Sequence, residues 1–282
     1  MMYYLESNSL VVSVNSFGAE LSGIKCKKTG MEYLWQGEAP FWRGRSPVLF
    51  PMVGRLHNSM YSYKGKTFEM PIHGFASKSD FTVTEELGKL IFTLQDSPAT
   101  RLIYPFAFLL EVVFTLEGQR ITTEYKVTNP SDSEELVFGI GGHPGLMFND
   151  YYLEFEGVDV LTGTVVSERG FLKDETFQLS LKNSCLPLTY DLFEKYLTLV
   201  FVDTPAKKVT LKSAKDDISV AMEFDTQHFG VWTQPGAPFV CLEPWDGLPD
   251  YEGFCGDFSN KRGNHILMPG DFKIFSTSIK ID

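Results

Sequence analysis

Cysteine is scarce in this chain. Cys26, Cys185, Cys241 and Cys255 are its four cysteines among 282 residues. No two form a CxxC pair and no histidine cluster accompanies them, which excludes the common zinc frameworks, so no metal is expected. Positive charge is also short. The 25 Lys and Arg against 36 Asp and Glu leave a formal net charge of −11. Nucleic acids and anionic membrane surfaces call for a basic face, so neither is expected as a partner. The acidity itself predicts solubility. No apolar run reaches the length needed to span a bilayer. The opening segment, "MMYYLESNSLVVSV", lacks a basic region and a long apolar stretch, so no signal peptide is expected. Together these absences predict a cytoplasmic protein with reduced thiols. Repeats, low-complexity tracts and linkers are missing as well, so residues 1–282 are expected to form a single domain. No amphipathic pattern runs for three helical turns. "TYDLFEKYL" has room for one or two.

What is present is a period of two. Ile121, Thr123, Tyr125 and Val127 alternate with Thr122, Glu124, Lys126 and Thr128, the pattern of a half-buried strand. Leu110, Val112, Phe114 and Leu116 alternate just before it. "EGQR" between the two runs predicts a hairpin turn at Gly118. Further strands are expected at "LVVSV", "KLIFTLQD", "YYLEFEG", "KKVTLKS", "ISVAMEF" and "FKIFSTSIKI", with "KSAKDDIS" as a polar turn. Strands at short spacing, separated by Gly, Pro, Asn and Asp, predict an all-β fold, a large antiparallel β-sandwich. Hydrophobic residues at 43% and charged residues at 22% suit a soluble globular chain. The 24 Phe can fill the space between two sheets, and aromatic faces can also receive sugar rings.

Four stretches do not read as plain strand. The first, "FWRGRSPVLFPMVGRLHNSMYSYKGKTFEM", carries Arg43, Arg45, Arg55, His57 and Asn58 between glycines and prolines. Guanidinium forks suit hydroxyl or carboxylate oxygens, whereas Arg43 reads as a solvated loop residue. The second, "PIHGFASKSDF", places His73 before Gly74, which by itself reads as a turn or core histidine. The third, "FGIGGHPGLMF", sets His143 among glycines and before Pro144. Bare backbone lets a ligand approach the imidazole, but a tight turn with a structural histidine fits as well. The fourth is "FVCLEPWDGLPDYEGFCGDFSNKRG". Glu243 follows an apolar run and should end a buried strand, where burial would raise its pKa toward that of a useful base. Trp245 beside it offers an apolar face. A strand-end Glu pointing into solvent is the plainer alternative. Asp246, Asp250, Glu252 and Asp257 lack calcium-loop spacing.

In this order, "SPVLFPMVGRLHNSMYSYKGKTFEMPIHGFA", "FGIGGHPGL", "FGVWTQPGAPFVCLEPWDGLPD" and "KRGNHILMPGDFKIFSTSIKI" resemble the aldose 1-epimerase (galactose mutarotase) superfamily, and within it the LacX-like branch. The resemblance runs from "GAELSGI" to the last strand. It implies the galactose mutarotase-like supersandwich, with a sugar site in an open cleft on a concave face. It also implies His143 as general acid, Glu243 as general base, Arg55 as a substrate-binding arginine and His73 as the second histidine of the site. Two motif positions depart from the family. Ser59 follows Asn58 where a second arginine is usual, and "HGF" replaces "HGG". The family's substrate-binding aspartate has no secure match among Asp191, Asp203 and Asp225.

The implied reaction is the exchange of α and β anomers of a free aldose by an isomerase that needs no cofactor. Glu243 would take the C1 hydroxyl proton and His143 would protonate the ring oxygen, the roles reversing on closure. Arg55, His73, Asn58 and Arg45 would hold hydroxyls, and Trp245 or Trp232 would stack on the sugar. A carboxylate beside the imidazole would favour its protonated form and predicts a bell-shaped pH profile, with a flat one from about pH 5 to 8 counting against two groups. Three alternatives stand beside this reading. A hexose 6-phosphate 1-epimerase would use Arg43, Arg45 and Lys78 for the phosphate. A sugar-binding protein could keep the cleft without turnover. A lyase or glycosidase on a similar sandwich would need, in the glycosidase case, two carboxylates. The partner is in each case a sugar; the oligomeric state is left open.

Overall fold

The computed structural model describes residues 1–147, 150–213, 215 and 218–282. Phe148, which ends the "FGIGGHPGLMF" stretch, lies outside them, as does most of the centre of "KSAKDDIS". Two large sheets dominate. One has nine strands in the order Cys185–Pro187, Tyr151–Phe155, Lys208–Ser213, Ser219–Phe224, Phe272–Ile281, Arg120–Thr128, Leu109–Glu117, Lys89–Gln95 and Thr82–Glu86. The other has eight. Leu172–Ser180, Val160–Val166, Leu199–Phe201, His228–Trp232, Phe239–Asp246, Ile140–Gly142 and Val48–Leu49 follow one another, and Gly145–Met147 also pairs with Phe239–Asp246. All strand pairs within them are antiparallel. A three-stranded sheet, Met2–Glu6, Leu10–Asn15 and Glu20–Cys26, adds a flank.

The alternation in sequence becomes alternation in burial. Leu110, Val112, Phe114 and Leu116 face the core, and Ile121, Thr123, Tyr125 and Val127 do so on the paired strand. Their hairpin turns at Gly118, whose φ of 59° is one that glycine adopts without strain. The predicted strand "FKIFSTSIKI" is Phe272–Ile281, and "TYDLFEKYL" yields the short helix Tyr190–Tyr196. Phenylalanine fills the core: Phe50, Phe92, Phe108, Phe138, Phe155, Phe201 and Phe229 are fully buried there. No helix among the described residues is long and apolar enough to cross a membrane.

The strand Phe239–Asp246 positions the site. It is buried along its whole length. Val240 and Leu242 point into the main core, while Phe239, Cys241 and Trp245 point to the other face, where they join two smaller apolar clusters. Glu243 shares that second face by the two-residue period. The sequence suggests a strand ending at Glu243; the structure continues it through Pro244 to Asp246. The reason lies in where Pro244 lacks its N–H. The N–H of Leu242 points toward Pro144 and donates to its carbonyl at 3.1 Å. Two residues on, the missing donor of Pro244 falls on the same side, where the neighbouring strand pauses at His143 and Pro144.

Candidate active site

His143 and Glu243 are brought together by strand register. Gly141 lies opposite Trp245 and Gly145 opposite Cys241. Four residues separate the matched positions on both strands, so His143 stands directly opposite Glu243. Facing side chains in an antiparallel pair project from the same face. Pro144 and Pro244 each remove one N–H from the ladder on either side, which is why the regular strand breaks there. His143 Nε2 lies 3.0 Å from Glu243 Oε2. Glycines surround the pair for a reason of space. A Cβ on Gly141 would come within 2.8 Å of the Trp245 ring, one on Gly145 within 3.2 Å of Trp35 and Trp42, and one on Gly230, opposite Glu243, within 2.9 Å of Trp245.

The pair is dry. Glu243 is 1% exposed and His143 8%. Glu243 Oε2, His143 Nδ1 and Trp245 Nε1 are all buried without an aligned hydrogen bond among the described residues. Three unsatisfied polar atoms around one spot are costly, and such groups in a native fold call for an explanation. Burial pushes the Glu243 carboxyl well above its ordinary range, opposed by the Trp245 indole beside it. Burial and the neighbouring His73 push the His143 imidazole well below its own. The sequence argument has the carboxylate favouring a protonated imidazole; loss of hydration outweighs that attraction here, because both charged forms lose their water.

His73 flanks them. Its ring stands edge-on to His143 with centroids 5.5 Å apart. Its backbone has a left-handed φ of 63°. The Gly54 N–H donates to His73 Nδ1 at 3.1 Å, and His73 N–H donates to the Gly54 carbonyl at 2.9 Å. That assigns the remaining ring proton to Nε2, making it a donor. Burial and the Arg55 guanidinium push His73 down to about 4, so it is neutral at pH 7. Arg55 is exposed, with its side chain against Gly170, and Asn58 lies with it on the rim of a groove of about 610 Å³.

The aromatic residues fall differently from the sequence expectation. Trp245 presents no open face: it is 3% exposed and packed on Gly230 and Gly141. Trp232 is half-buried, 5.7 Å from the His143 ring. Trp42, which sequence reasoning passed over, lies closer, with its ring 4.9 Å from His143 and tilted by 34°. Its place is set by the N–H of Trp42 donating to Gln234 Oε1 at 2.8 Å and by Trp35 Nε1 donating to the Trp42 carbonyl at 2.8 Å. The available signal was a tryptophan within an irregular, glycine-punctuated stretch. Arg45 is engaged in structure, its Nε donating to the Gln36 carbonyl at 3.2 Å. Among the candidate aspartates, Asp225 accepts from Ser276 N–H at 2.8 Å, Asp203 lies 3.7 Å from His228, and Asp191 is exposed on the short helix.

The family model described as aldose 1-epimerase matches residues 1–280. The chain belongs to the aldose 1-epimerase family. It is 34% identical over 270 residues to the plasmid-encoded protein LacX of Lactococcus lactis subsp. lactis, covering 88% of each chain. Among solved structures it is similar to a galactose mutarotase related enzyme from Lactobacillus acidophilus, with a TM-score of 0.93 and 31% identity over 100% of this chain and 97% of that one. A galactose mutarotase-like protein from Lactobacillus casei gives a TM-score of 0.94 at 28% identity, covering 100% of both chains. Membership of the aldose 1-epimerase family supports a mutarotase-like function of isomerase type, and the fold is the expected galactose mutarotase-like sandwich.

Proposed function

We propose that this chain interconverts the α and β anomers of a free aldose by general acid–base ring opening and closure. The observation that carries the reading is the buried cross-strand pair, with His143 Nε2 3.0 Å from Glu243 Oε2. A sugar hemiacetal has what such a pair lacks: a hydroxyl to give a proton and a ring oxygen to receive one. Glu243 takes the C1 hydroxyl proton while His143 protonates the ring oxygen, and rotation of the open-chain carbonyl followed by closure reverses the roles. Each proton transfer contributes roughly 10²–10⁴-fold. His73 donates through Nε2 to a hydroxyl, Arg55 does the same at the rim, and Trp42 and Trp232 bound the apolar face of the ring.

The reaction as drawn uses the pair with its proton on His143 and Glu243 ionised, the tautomer that burial disfavours and that hydroxyls of a bound sugar would restore. The pair's raised carboxyl and depressed imidazole therefore predict a broad plateau around neutrality, falling where the pair gains a second proton or loses its last. The test is the decay of optical rotation of fresh α-D-glucose and α-D-galactose at low buffer concentration. Acceleration by the wild type, cut by about 10²-fold or more in Glu243→Gln, is the expected result. Equal rates for wild type and variant would remove Glu243 from the mechanism, and no acceleration of either sugar would remove the free monosaccharides as substrates.

A further inference from the structure

A second cavity, of about 210 Å³, lies behind the Arg55 segment. The chain there divides it from the groove of about 610 Å³. Arg55 and Asn58 line the groove, whereas His57 and Met60 line the cavity. The inner end of the cavity is formed by Asp250, 3% exposed, and Lys261, 4% exposed. Part of their bonding capacity is used in structure. Asp250 Oδ2 accepts the His57 N–H at 2.9 Å, and Lys261 Nζ donates to the Leu248 carbonyl. The facing atoms are not matched as well. Asp250 Oδ1 lies 3.5 Å from Lys261 Nζ and has no aligned hydrogen bond among the described residues. A buried carboxylate oxygen in that state is costly and calls for an explanation. The wall beyond the pair is aromatic. Tyr61 and Phe258 are buried with ring centroids 4.6 Å apart, and the Tyr61 hydroxyl donates to the Ile103 carbonyl at 2.8 Å, so its polar atom is engaged elsewhere. Phe254, half-buried, lines the same cavity. At the outer end Ser62 and Thr67, opposite one another on paired strands, supply two hydroxyls, and Thr67 is exposed.

We infer that this cavity is a binding site for a neutral cyclic polyol of one six-membered ring, separate from the His143–Glu243 pair. Three features select that class. First, the inner end carries one negative and one positive group, so their charges cancel. A carboxylate or phosphate would meet Asp250 and an ammonium would meet Lys261, whereas a hydroxyl donates to Oδ1 and accepts from Nζ at once. Burial lowers the Lys261 ammonium only to about 8, so it keeps its charge and its donors at pH 7. Second, the aromatic wall receives the C–H face of a ring, and the hydroxyls of Ser62 and Thr67 meet polar groups on its far side. A ligand with hydroxyls at both ends uses the whole cavity; a monohydric alcohol uses half of it. Third, the volume falls below the roughly 300–1,000 Å³ of pockets for drug-sized ligands, which limits the occupant to one ring. Nothing in this site calls for an anomeric centre, so the inference does not depend on the proposed reaction.

The experiment follows the full chain at pH 7 by NMR of isotope-labelled methionine methyl groups. Met60 lines the cavity and its resonance is identified by its loss in Met60→Leu. The probes are myo-inositol and methyl β-D-glucopyranoside, neither of which can exchange anomers, with cyclohexanol as the comparison. The expected result is a Met60 shift that saturates with at least one polyol, with an affinity about tenfold or more above that of cyclohexanol. Asp250→Asn keeps an acceptor for the His57 N–H but removes the charge, and should weaken polyol binding about tenfold or more, the worth of a hydrogen bond to a charged group. Thr67→Trp fills the outer end from an exposed strand position and leaves the inner pair intact; it should abolish the shift with the melting temperature unchanged. A shift that does not saturate with either polyol, or cyclohexanol binding as tightly as both, overturns the site. So does an affinity unmoved in a folded Asp250→Asn. If that variant fails to fold, Thr67→Trp decides alone, and polyol binding retained in it overturns the inference.

Discussion

Acid should weaken this fold measurably through His73. Its imidazole drops from an ordinary 6.5 to about 4 in the folded chain. Above pH 6.5 neither the folded nor the unfolded chain carries a proton there, and the contribution to stability is intact. As the pH falls below 6.5 the unfolded chain takes up a proton that the folded one refuses, so stability falls. Below about 4 both forms are protonated and the loss is complete. At about 1.4 kcal/mol per pH unit, that span amounts to about 3 kcal/mol. The perturbation is His73→Asn. Asparagine tolerates the left-handed backbone, and its side-chain oxygen can accept the Gly54 N–H. The assay is urea denaturation of both proteins at steps from pH 4 to 7. His143, also depressed, loses stability in the same direction and the raised carboxyl of Glu243 works oppositely; both remain in the variant, so the difference between the two curves reports His73 together with its push on His143. The wild type should lose about 3 kcal/mol more than the variant across the window. Parallel curves would refute the burial of a neutral His73 against Arg55.

Other substitutions report on the frame around the site. Gly74→Ala places a Cβ 2.1 Å from the Phe50 carbonyl oxygen at a φ of 75°, so it should destabilise by several kcal/mol, roughly 2–4, and shift His73; thermal melts and a His73 proton spectrum would read both. Lys261→Met strips the cation from a buried pair in which Nζ lies 3.5 Å from Asp250 Oδ1, and should cost about 3–5 kcal/mol in chemical denaturation. Burial holds Lys261 near 8 against an ordinary 10.5, so the folded wild type binds fewer protons and its stability should rise between those two pH values, a rise absent in the variant. Trp42→Leu opens the cover over His143; it should raise KM for sugars with little change in melting temperature, whereas an unchanged KM would place the sugar elsewhere.

Much of the architecture was legible from local pattern. A period of two depends only on which side chains can be buried along a pleated chain, so Leu109–Glu117, Arg120–Thr128 and Phe272–Ile281 follow from their own residues, as does the turn at Gly118. The short segments of the eight-stranded sheet were less so. Val48–Leu49 and Ile140–Gly142 are two and three residues long, too short to show a period, and are strands only because Phe239–Asp246 organises one edge of them or of their neighbour. His143 and Glu243 could be singled out by residue type and by family resemblance. Their facing one another is a matter of register between segments a hundred residues apart, set by long-range pairing. Only the tertiary structure decided which way the two pKa values move, because hydration is lost through the packing of Trp35, Trp42, Trp232 and Trp245 around the pair. The same packing buried Trp245 and set Trp42 against the His143 ring. Sequence settles what each strand can bury; which side chains lose their water together depends on how the sheets and the loop over them close.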